Sequence, residues 1–350
     1  MNSRILAICL TAGTIAATAA AQVPDQLLLV VDSSNNRVAA FDPFDGTLID
    51  PLFIDLNPLG ATTPKGIAQV GDEIWVSDQV QDRVDRFDFE GNLLGTIGGQ
   101  VPGGGLDNVR GVNVIGDEVW VFNAGTNNDA PGNAIVRVDP VSATIIGNIL
   151  LDTSPWFALP YNGENLVSYS GTTRIERFDD AGSLLGVFLG TGQLNFIQQM
   201  AETSAGTVLA AAFSSTTASG RSAGVWEIDA NGNVLGIVPG TAATGPRAAW
   251  ELGNGNVMWT NGSGVQISDL SSGLASVVLP GSGQFIALLT LDSADCYADF
   301  DGDGELTIFD FLAFQNAFAT GDPQADCDGD GSFTLFDFLC FQNAFAIGCD

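Results

Sequence analysis

The residues best suited to chemistry lie near the C-terminus, where one acidic pattern occurs twice. Each copy has carboxylates at positions 1, 3, 5 and 12 and a glycine at position 6, and the second copy follows the first by 27 residues. The carboxylates are those of Asp299, Asp301, Asp303 and Asp310, then Asp326, Asp328, Asp330 and Asp337. Alternating carboxylates on a tight loop offer oxygen ligands to a hard divalent cation, and the glycine permits the bend. The sequence therefore predicts two Ca²⁺ sites.

The spacing matches the 12-residue calcium loop of EF-hand proteins, in which position 7 contributes a backbone carbonyl. Glu305 and Ser332 occupy that position and complete the predicted ligand sets. Because the aspartates of each loop repel one another without metal, we expect the folding of this segment to depend on Ca²⁺. The alternative is an acidic β-turn repeat or a disordered acidic tail.

Each loop continues into an apolar helical pattern, over residues 311–319 and 338–346, and neither loop has a helix before it. This arrangement, with Asp at position 12, resembles the duplicated loop–helix motifs of type I dockerins. The Gly348-Cys349 ending is similar to the cysteine-containing "GC-type" dockerin variant of secreted planctomycete-type proteins. The resemblance covers residues 292–350 and implies a small α-helical module that docks onto a cohesin-like or other extracellular receptor.

Loop positions 10 and 11 depart from the dockerin family, which usually has polar recognition residues there. In this chain they are Ile308 and Phe309 in the first copy and Leu335 and Phe336 in the second. We predict that these four side chains contact a partner through an apolar face, since a module this small has little interior to hide them in. Packing inside the module is the alternative.

Residues 1–21 have the features of a secretory signal peptide: Arg4, an apolar stretch and a small-residue cleavage site at Ala19-Ala20-Ala21. We therefore expect a secreted protein that is extracellular or attached to a cell surface. The remaining cysteines all lie in the C-terminal segment and predict two disulfides. They are Cys296, Cys327, Cys340 and Cys349. Spacing allows three pairings; Cys296–Cys349 with Cys327–Cys340 is preferred, and a four-cysteine zinc site is the alternative.

Residues 22–291 contain a second kind of repeat. A strand that ends in an apolar residue and Asp, followed by a turn, recurs six times at intervals of 40 to 51 residues. Four strands per interval predict a six-bladed β-propeller that resembles NHL-like propellers. The first copy lacks its first strand, and residues 285–291 should supply it and close the ring. The expected fold is thus mainly β, a propeller followed by a small α dockerin-like module.

The formal charge of −30, from 41 acidic and 11 basic residues, argues against nucleic acid and anionic membranes as partners. After the signal peptide no apolar stretch is long enough to predict a membrane span.

Three of the few basic residues occupy equivalent positions where a blade's innermost strand should begin. These are Lys65, Arg110 and Arg247, with Trp156 at the same place in another blade. Such residues would ring one mouth of the propeller channel, where they could hold an acidic or sulfated glycan. The alternative is repeated blade geometry, with each cation paired to an Asp of a neighbouring blade.

The chain contains no histidine, which excludes Ser-His-Asp triads and histidine-ligated metals. The adjacent carboxylates Asp72-Glu73 and Asp117-Glu118 recur in hairpin turns, as a structural feature would. The sequence therefore favours a secreted calcium-binding protein whose tail attaches a recognition propeller to a cell-surface or extracellular assembly. The alternative is a polysaccharide-degrading enzyme, a glycoside hydrolase or lyase, of a cellulosome-like complex.

Overall fold

The computed structural model describes residues 26–170, 173–291, 297–302, 306–327 and 331–348. Its contacts separate the chain into two compact units, Gln26–Leu291 and a C-terminal unit that begins at Asp292. The predicted signal peptide, Cys296, Cys349 and the loop residues Asp303, Glu305, Asp328 and Asp330 lie outside the described residues. No helix within the described ranges is long and apolar enough to cross a bilayer.

The first unit is built from six four-stranded antiparallel sheets, each of which is one propeller blade. The strands of the first three blades are β1 (Gln26–Asp32), β2 (Arg37–Phe41), β3 (Leu48–Asp55), β4 (Pro64–Val70), β5 (Glu73–Asp78), β6 (Arg83–Phe87), β7 (Leu93–Gly98), β8 (Val109–Ile115), β9 (Glu118–Asn123), β10 (Ala134–Asp139) and β11 (Thr144–Leu150). A short 3-10 helix, Asn57–Leu59, follows β3.

The strands of the other three blades are β12 (Pro155–Tyr161), β13 (Glu164–Tyr169), β14 (Ile175–Phe178), β15 (Leu184–Leu189), β16 (Asn195–Glu202), β17 (Val208–Ser214), β18 (Gly224–Ile228), β19 (Val234–Ile237), β20 (Ala248–Glu251), β21 (Val257–Asn261), β22 (Gly264–Asp269) and β23 (Leu274–Pro280). The last strand, β24 (Gly283–Thr290), joins β1 to complete the first blade.

Ring closure occurs as the sequence predicts. β24 pairs with β1 in an antiparallel register that places Leu289 opposite Leu27. The innermost strand of every blade contacts those of the two neighbouring blades, in the cyclic order β24, β4, β8, β12, β16, β20. The six-bladed propeller is therefore confirmed, and the starts of these six strands lie around one mouth of its axis.

The aspartate that marks each repeat holds the turn after the third strand of its blade. Asp88 Oδ1 accepts a hydrogen bond from the Asn92 backbone at 2.7 Å, and Asp229 Oδ1 accepts one from Asn233 at 2.8 Å. Between the blades, large side chains such as Trp75, Trp120 and Trp259 are completely buried. Each of them contributes about 4–6 kcal/mol of hydrophobic stabilisation at about 25 cal/mol per Å².

The C-terminal unit contains two helices, α1 (Ile308–Thr320) and α2 (Leu335–Ile347), and a short 3-10 helix, Pro323–Ala325. Its centre is the stacked pair Phe314 and Phe341, whose ring centroids lie 4.3 Å apart. These residues are 27 positions apart, so the two copies pack through equivalent side chains. A core this small rarely stabilises a domain without a metal or a disulfide.

Cys327 and Cys340 form a disulfide, with their Cα atoms 5.8 Å apart, which confirms this half of the preferred pairing. The four-cysteine zinc site is therefore wrong, because both sulfurs are already bonded.

Candidate functional sites

The structure brings the predicted cations to one mouth of the propeller channel. Lys65, Arg110 and Trp156 are the second residues of β4, β8 and β12. Phe196 and Gln284 hold the same position in β16 and β24, and Arg247 immediately precedes β20. Because innermost strands start at the same end of the ring, all six blades contribute a residue to this mouth.

Glycines bring these strands unusually close together. A Cβ on Gly66, next to Lys65, would lie 2.6 Å from the Arg110 carbonyl oxygen. A Cβ on Gly111, next to Arg110, would lie 2.7 Å from the Trp156 carbonyl oxygen. The absence of a side chain at both positions permits this approach, and it sets the cations of successive blades side by side.

The two arginines contact the next blade around the ring in the same way. Arg110 Nη1 donates to Ser154 Oγ at 2.6 Å and to the Pro155 carbonyl at 3.3 Å. Arg247 Nη1 donates to Ser282 Oγ at 2.7 Å and to the Gly283 carbonyl at 3.2 Å. Both guanidinium groups are therefore held by neutral oxygens.

Lys65 and Arg110 share the ring of Trp156. The Arg110 guanidinium carbon lies 4.0 Å from the ring centroid, and Lys65 Nζ lies 5.2 Å from it. Lys65 Nζ also donates to Gln284 Oε1 at 3.2 Å. The indole ring thus holds two cations near each other, partly through cation–π attraction.

Within the described part of the chain, no carboxylate oxygen lies within 4 Å of the charged nitrogens of Lys65, Arg110 or Arg247. The expected pairing of each cation with a neighbouring blade's Asp is therefore wrong. Six other arginines do form ion pairs, for example Arg86 with Glu73 and Arg137 with Glu118. These two ion pairs use the glutamates of the Asp72-Glu73 and Asp117-Glu118 turns. The Asp-Glu motif therefore recurs for a structural reason.

Burial without a counter-charge perturbs this cluster strongly. Lys65 is 7% exposed and Arg110 is 8% exposed. Desolvation, with repulsion from Arg247 and Arg110, lowers the pKa of Lys65 from 10.5 to about 7. Desolvation also lowers the pKa of Arg110 to about 10 and shifts that of Arg247 downward.

An aromatic wall beside the cations carries backbone strain. Phe196 has a φ of +50°, a left-handed conformation that a bulky residue rarely adopts. Its ring meets Trp156 edge-on, with centroids 4.7 Å apart, and contacts Phe213 at 5.2 Å. Strain of this kind persists where surrounding contacts enforce it, and it is most common at functional sites.

The second candidate site is the first acidic loop of the C-terminal unit. Carboxylate oxygens of Asp299, Asp301 and Asp310 lie within 4.8 Å of one another. Two oxygens that each lie about 2.4 Å from one Ca²⁺ can be at most about 4.8 Å apart. The three described carboxylates therefore have a separation suited to one calcium ion.

The described part of the second loop has related features. Asp326 Oδ2 accepts from the Gly331 backbone at 2.9 Å, while Asp326 Oδ1 is buried with no hydrogen-bond partner among the described residues. Gly331, at loop position 6, has a φ of +78°, the left-handed bend that glycine permits. Asp337, at position 12, is fully buried, whereas Ser332 is exposed.

Thr307 and Thr334 are functional residues that the sequence reasoning missed. Thr307 Oγ1 accepts from the Phe309 backbone at 3.1 Å, and the Thr307 backbone donates to Asp310 Oδ2 at 2.7 Å. Thr334 and Asp337 form the same capping box. The signal was readable as Thr-x-x-Asp before an apolar run. Each position-12 carboxylate thus fixes the first turn of its helix.

The four predicted contact residues are exposed rather than packed inside. Ile308 is 64% exposed, Phe309 62%, Leu335 71% and Phe336 66%. Of these four, Ile308 also lines a groove of about 430 Å³, together with Thr307, Phe311, Phe341, Gln342, Phe345 and Ala346.

Comparison with known proteins supports the fold of the first unit. No family model and no curated protein matches this chain. A chain of the nidogen/laminin complex superposes with a TM-score of 0.58 at 12% identity, covering 76% of this chain and 99% of that one. A streptogramin B lyase superposes with a TM-score of 0.51 at 12% identity, covering 75% and 91%. At this identity the likeness defines the class of fold, a β-propeller, and nothing finer.

Proposed function

We propose that this is a secreted calcium-binding protein whose dockerin-like C-terminal unit attaches a recognition propeller to an extracellular or cell-surface assembly. The observation that carries the proposal is the carboxylate cluster of Asp299, Asp301 and Asp310 within 4.8 Å. Three anionic oxygens this close repel one another strongly unless a cation neutralises them. One oxygen of Asp326 is buried with no partner in the described part of the chain, which is consistent with a second ion in the second loop.

Calcium would couple directly to helix formation. The position-12 carboxylates of Asp310 and Asp337 accept backbone N–H groups of the helix caps. An ion that holds these carboxylates would therefore also hold the first turns of α1 and α2. Because the aromatic core of this unit is small, metal binding would supply much of its folding free energy.

Titration calorimetry on the mature chain, after chelation, tests the metal proposal. We expect two calcium ions per chain in the wild type and one in Asp310→Asn, because the amide keeps a cap acceptor and removes one anionic ligand. Asp322→Asn is the matched control, since Asp322 caps the short 3-10 helix through the Gln324 backbone at 3.1 Å and belongs to neither loop. Equal stoichiometry in all three proteins, or no calcium uptake, would overturn the proposal.

The partner we propose is a cohesin-like receptor with an apolar contact face and a basic rim. Ile308, Phe309, Leu335 and Phe336 present exposed apolar surface at the first turn of each helix. Residues 292–350 contain no Lys or Arg, so a receptor that surrounds this surface with basic side chains would be complementary in charge. Because loop positions 10 and 11 are apolar in this chain, the contact face of the receptor should have an apolar centre.

Binding of purified type I cohesin domains to the mature chain, measured in calcium and then in chelator, tests this proposal. We expect calcium-dependent binding that Phe309→Ser with Phe336→Ser reduces at least tenfold, because exposed aromatic anchors dominate such interfaces. Val141→Ser is the control, because Val141 is 91% exposed and belongs to the propeller. Failure to bind would overturn the cohesin-like receptor, and self-association that the double variant abolishes would identify a second copy of this chain as the partner instead.

A further inference from the structure

Among the described residues, the cation cluster at the channel mouth lacks the counter-charge that buried cations normally have. Arg110 and Lys65 are less than a tenth exposed, and their described partners are neutral oxygens and an aromatic ring. Elsewhere in this chain even half-buried arginines such as Arg37 and Arg83 have carboxylate partners. An unpaired buried cation is costly, and two of them beside the partly buried Arg247 require compensation.

Unused donors surround the same place. Arg110 Nε and Trp156 Nε1 are buried and have no hydrogen-bond partner among the described residues. The ammonium group of Lys65 has three donors, and the described bond uses one of them, to Gln284. Buried donors are normally satisfied, so the missing acceptors are a second indication, independent of charge, that something anionic or polar belongs here.

We propose that this mouth of the propeller channel binds an oxyanion through Arg110, Arg247 and Lys65. Carboxylate, sulfate and phosphate groups fit, since each presents several acceptor oxygens to guanidinium and ammonium donors. The hydroxyl of Ser154 and that of Ser170, 2.6 and 3.0 Å from Arg110 Nη1, hold the guanidinium in place.

The surroundings of Trp156 favour a smaller ligand than the glycan that the sequence predicts. Trp156 is 4% exposed, with Arg110 over its face and the edge contact of Phe196 against it. It therefore offers no free face to a sugar ring and acts as a positioning residue for the cations. The site takes a single anionic group that enters the channel, either a free oxyanion or the charged end of a larger ligand, rather than a glycan chain stacked across the mouth.

The charge of Lys65 makes binding depend on pH. The groups that face Lys65 are Arg110 of β8, Arg247 before β20, Trp156 of β12 and Gln284 of β24; the pKa of Arg110 is lowered to about 10, and the indole and the amide do not titrate. Below pH 7 the ammonium form attracts an anion; above pH 7 that attraction is lost. A bound oxyanion in turn favours the charged form of Lys65.

Titration calorimetry on the calcium-loaded mature chain, with sulfate, phosphate and galacturonate as separate probes, tests the proposal. We expect one site per chain at pH 6, with affinity reduced about tenfold or more in Arg110→Gln and by raising the pH to 8.5. Tighter binding of galacturonate than of the inorganic ions would show that the bound anionic group belongs to an organic acid. The reverse order would identify a free oxyanion.

Arg221→Gln is the matched control, because Arg221 also contacts an indole, that of Trp226, and an amide, that of Gln193, but makes no described contact with Lys65, Arg110 or Arg247. Its affinity should equal that of the wild type. Lys65→Met serves as the second variant if Arg110→Gln does not fold, and it should bind weakly with no dependence on pH. No binding of any probe, or equal binding by wild type and the channel variants, would overturn the proposal. These results concern the propeller and leave the calcium proposal untouched.

Discussion

Replacing Lys65 by methionine removes a buried charge while it keeps most of the side-chain volume. In the wild type the folded-state pKa of Lys65 is about 7, whereas its ordinary value is 10.5. Between these two values the unfolded chain binds more protons than the folded chain, so folding becomes more favourable as the pH rises. Below pH 7 both states are protonated and the full cost of the buried charge remains.

The magnitude follows from the two pKa values. A shift from 10.5 to about 7 corresponds to about 5 kcal/mol when Lys65 is fully charged in both states. At pH 7 about 4 kcal/mol of that cost remains, and at pH 9 about 2 kcal/mol remains. The advantage of Lys65→Met over the wild type should therefore shrink by about 2 kcal/mol between pH 7 and pH 9. Loss of the Gln284 partner costs the variant about 1–3 kcal/mol, but equally at every pH.

Urea unfolding followed by tryptophan fluorescence measures this difference, because all six tryptophans lie in the propeller, between residues 75 and 259. The buffers contain chloride as their anion, so that no oxyanion occupies the site during the measurement. Arg37→Met is the control: Arg37 pairs with Asp32 at 3.0 Å and the variant keeps Lys65, so its difference from the wild type should not change between pH 7 and pH 9. Parallel stability profiles for wild type and Lys65→Met would refute the inferred burial of an unpaired charge.

Three further predictions follow from contacts in the two units. Gly66→Ala should destabilise the propeller by about 1–3 kcal/mol, because the new Cβ meets backbone of β8, whereas Gly147→Ala, which has open space around it, should be neutral in the same urea assay. Replacing Cys327 and Cys340 by serine should weaken calcium binding at the second loop in calorimetry, by up to about 3 kcal/mol, because the disulfide ties the second residue of that loop to α2. Thr334→Ala should lower the midpoint of thermal unfolding of α2, followed by circular dichroism, through loss of about 1 kcal/mol of capping.

The features that could be predicted from the sequence are those whose signal is carried by the repeat. The strand that closes the ring was predictable, because residues 285–291 form an orphan strand pattern and the first repeat lacks one. The positions of Lys65, Arg110 and Arg247 followed from the repeat, since equivalent positions in successive blades occupy one end of the ring.

The partners of these cations could not be predicted, because they are distant in the chain. Gln284 is 219 residues from Lys65, and Ser170 is 60 residues from Arg110. The repeat suggested an Asp as partner, yet the structure supplies hydroxyl, amide and carbonyl groups. The apolar helices posed a similar problem: a pattern that is apolar on nearly all sides does not show that Phe314 and Phe341 face inward while Phe309 and Phe336 face solvent.

The distribution of positive charge in the propeller separates structural cations from the candidate site. Arg86 and Arg137 each meet the glutamate of a hairpin turn in their own blade, and such pairs contribute little because solvent screens them. Lys65 and Arg110 are buried, so the surrounding protein screens their charges far less. A chain with 41 acidic residues had many carboxylates that could have neutralised them. That neutral groups hold these cations instead is best explained if the compensating charge arrives with the oxyanion that we propose for the channel mouth.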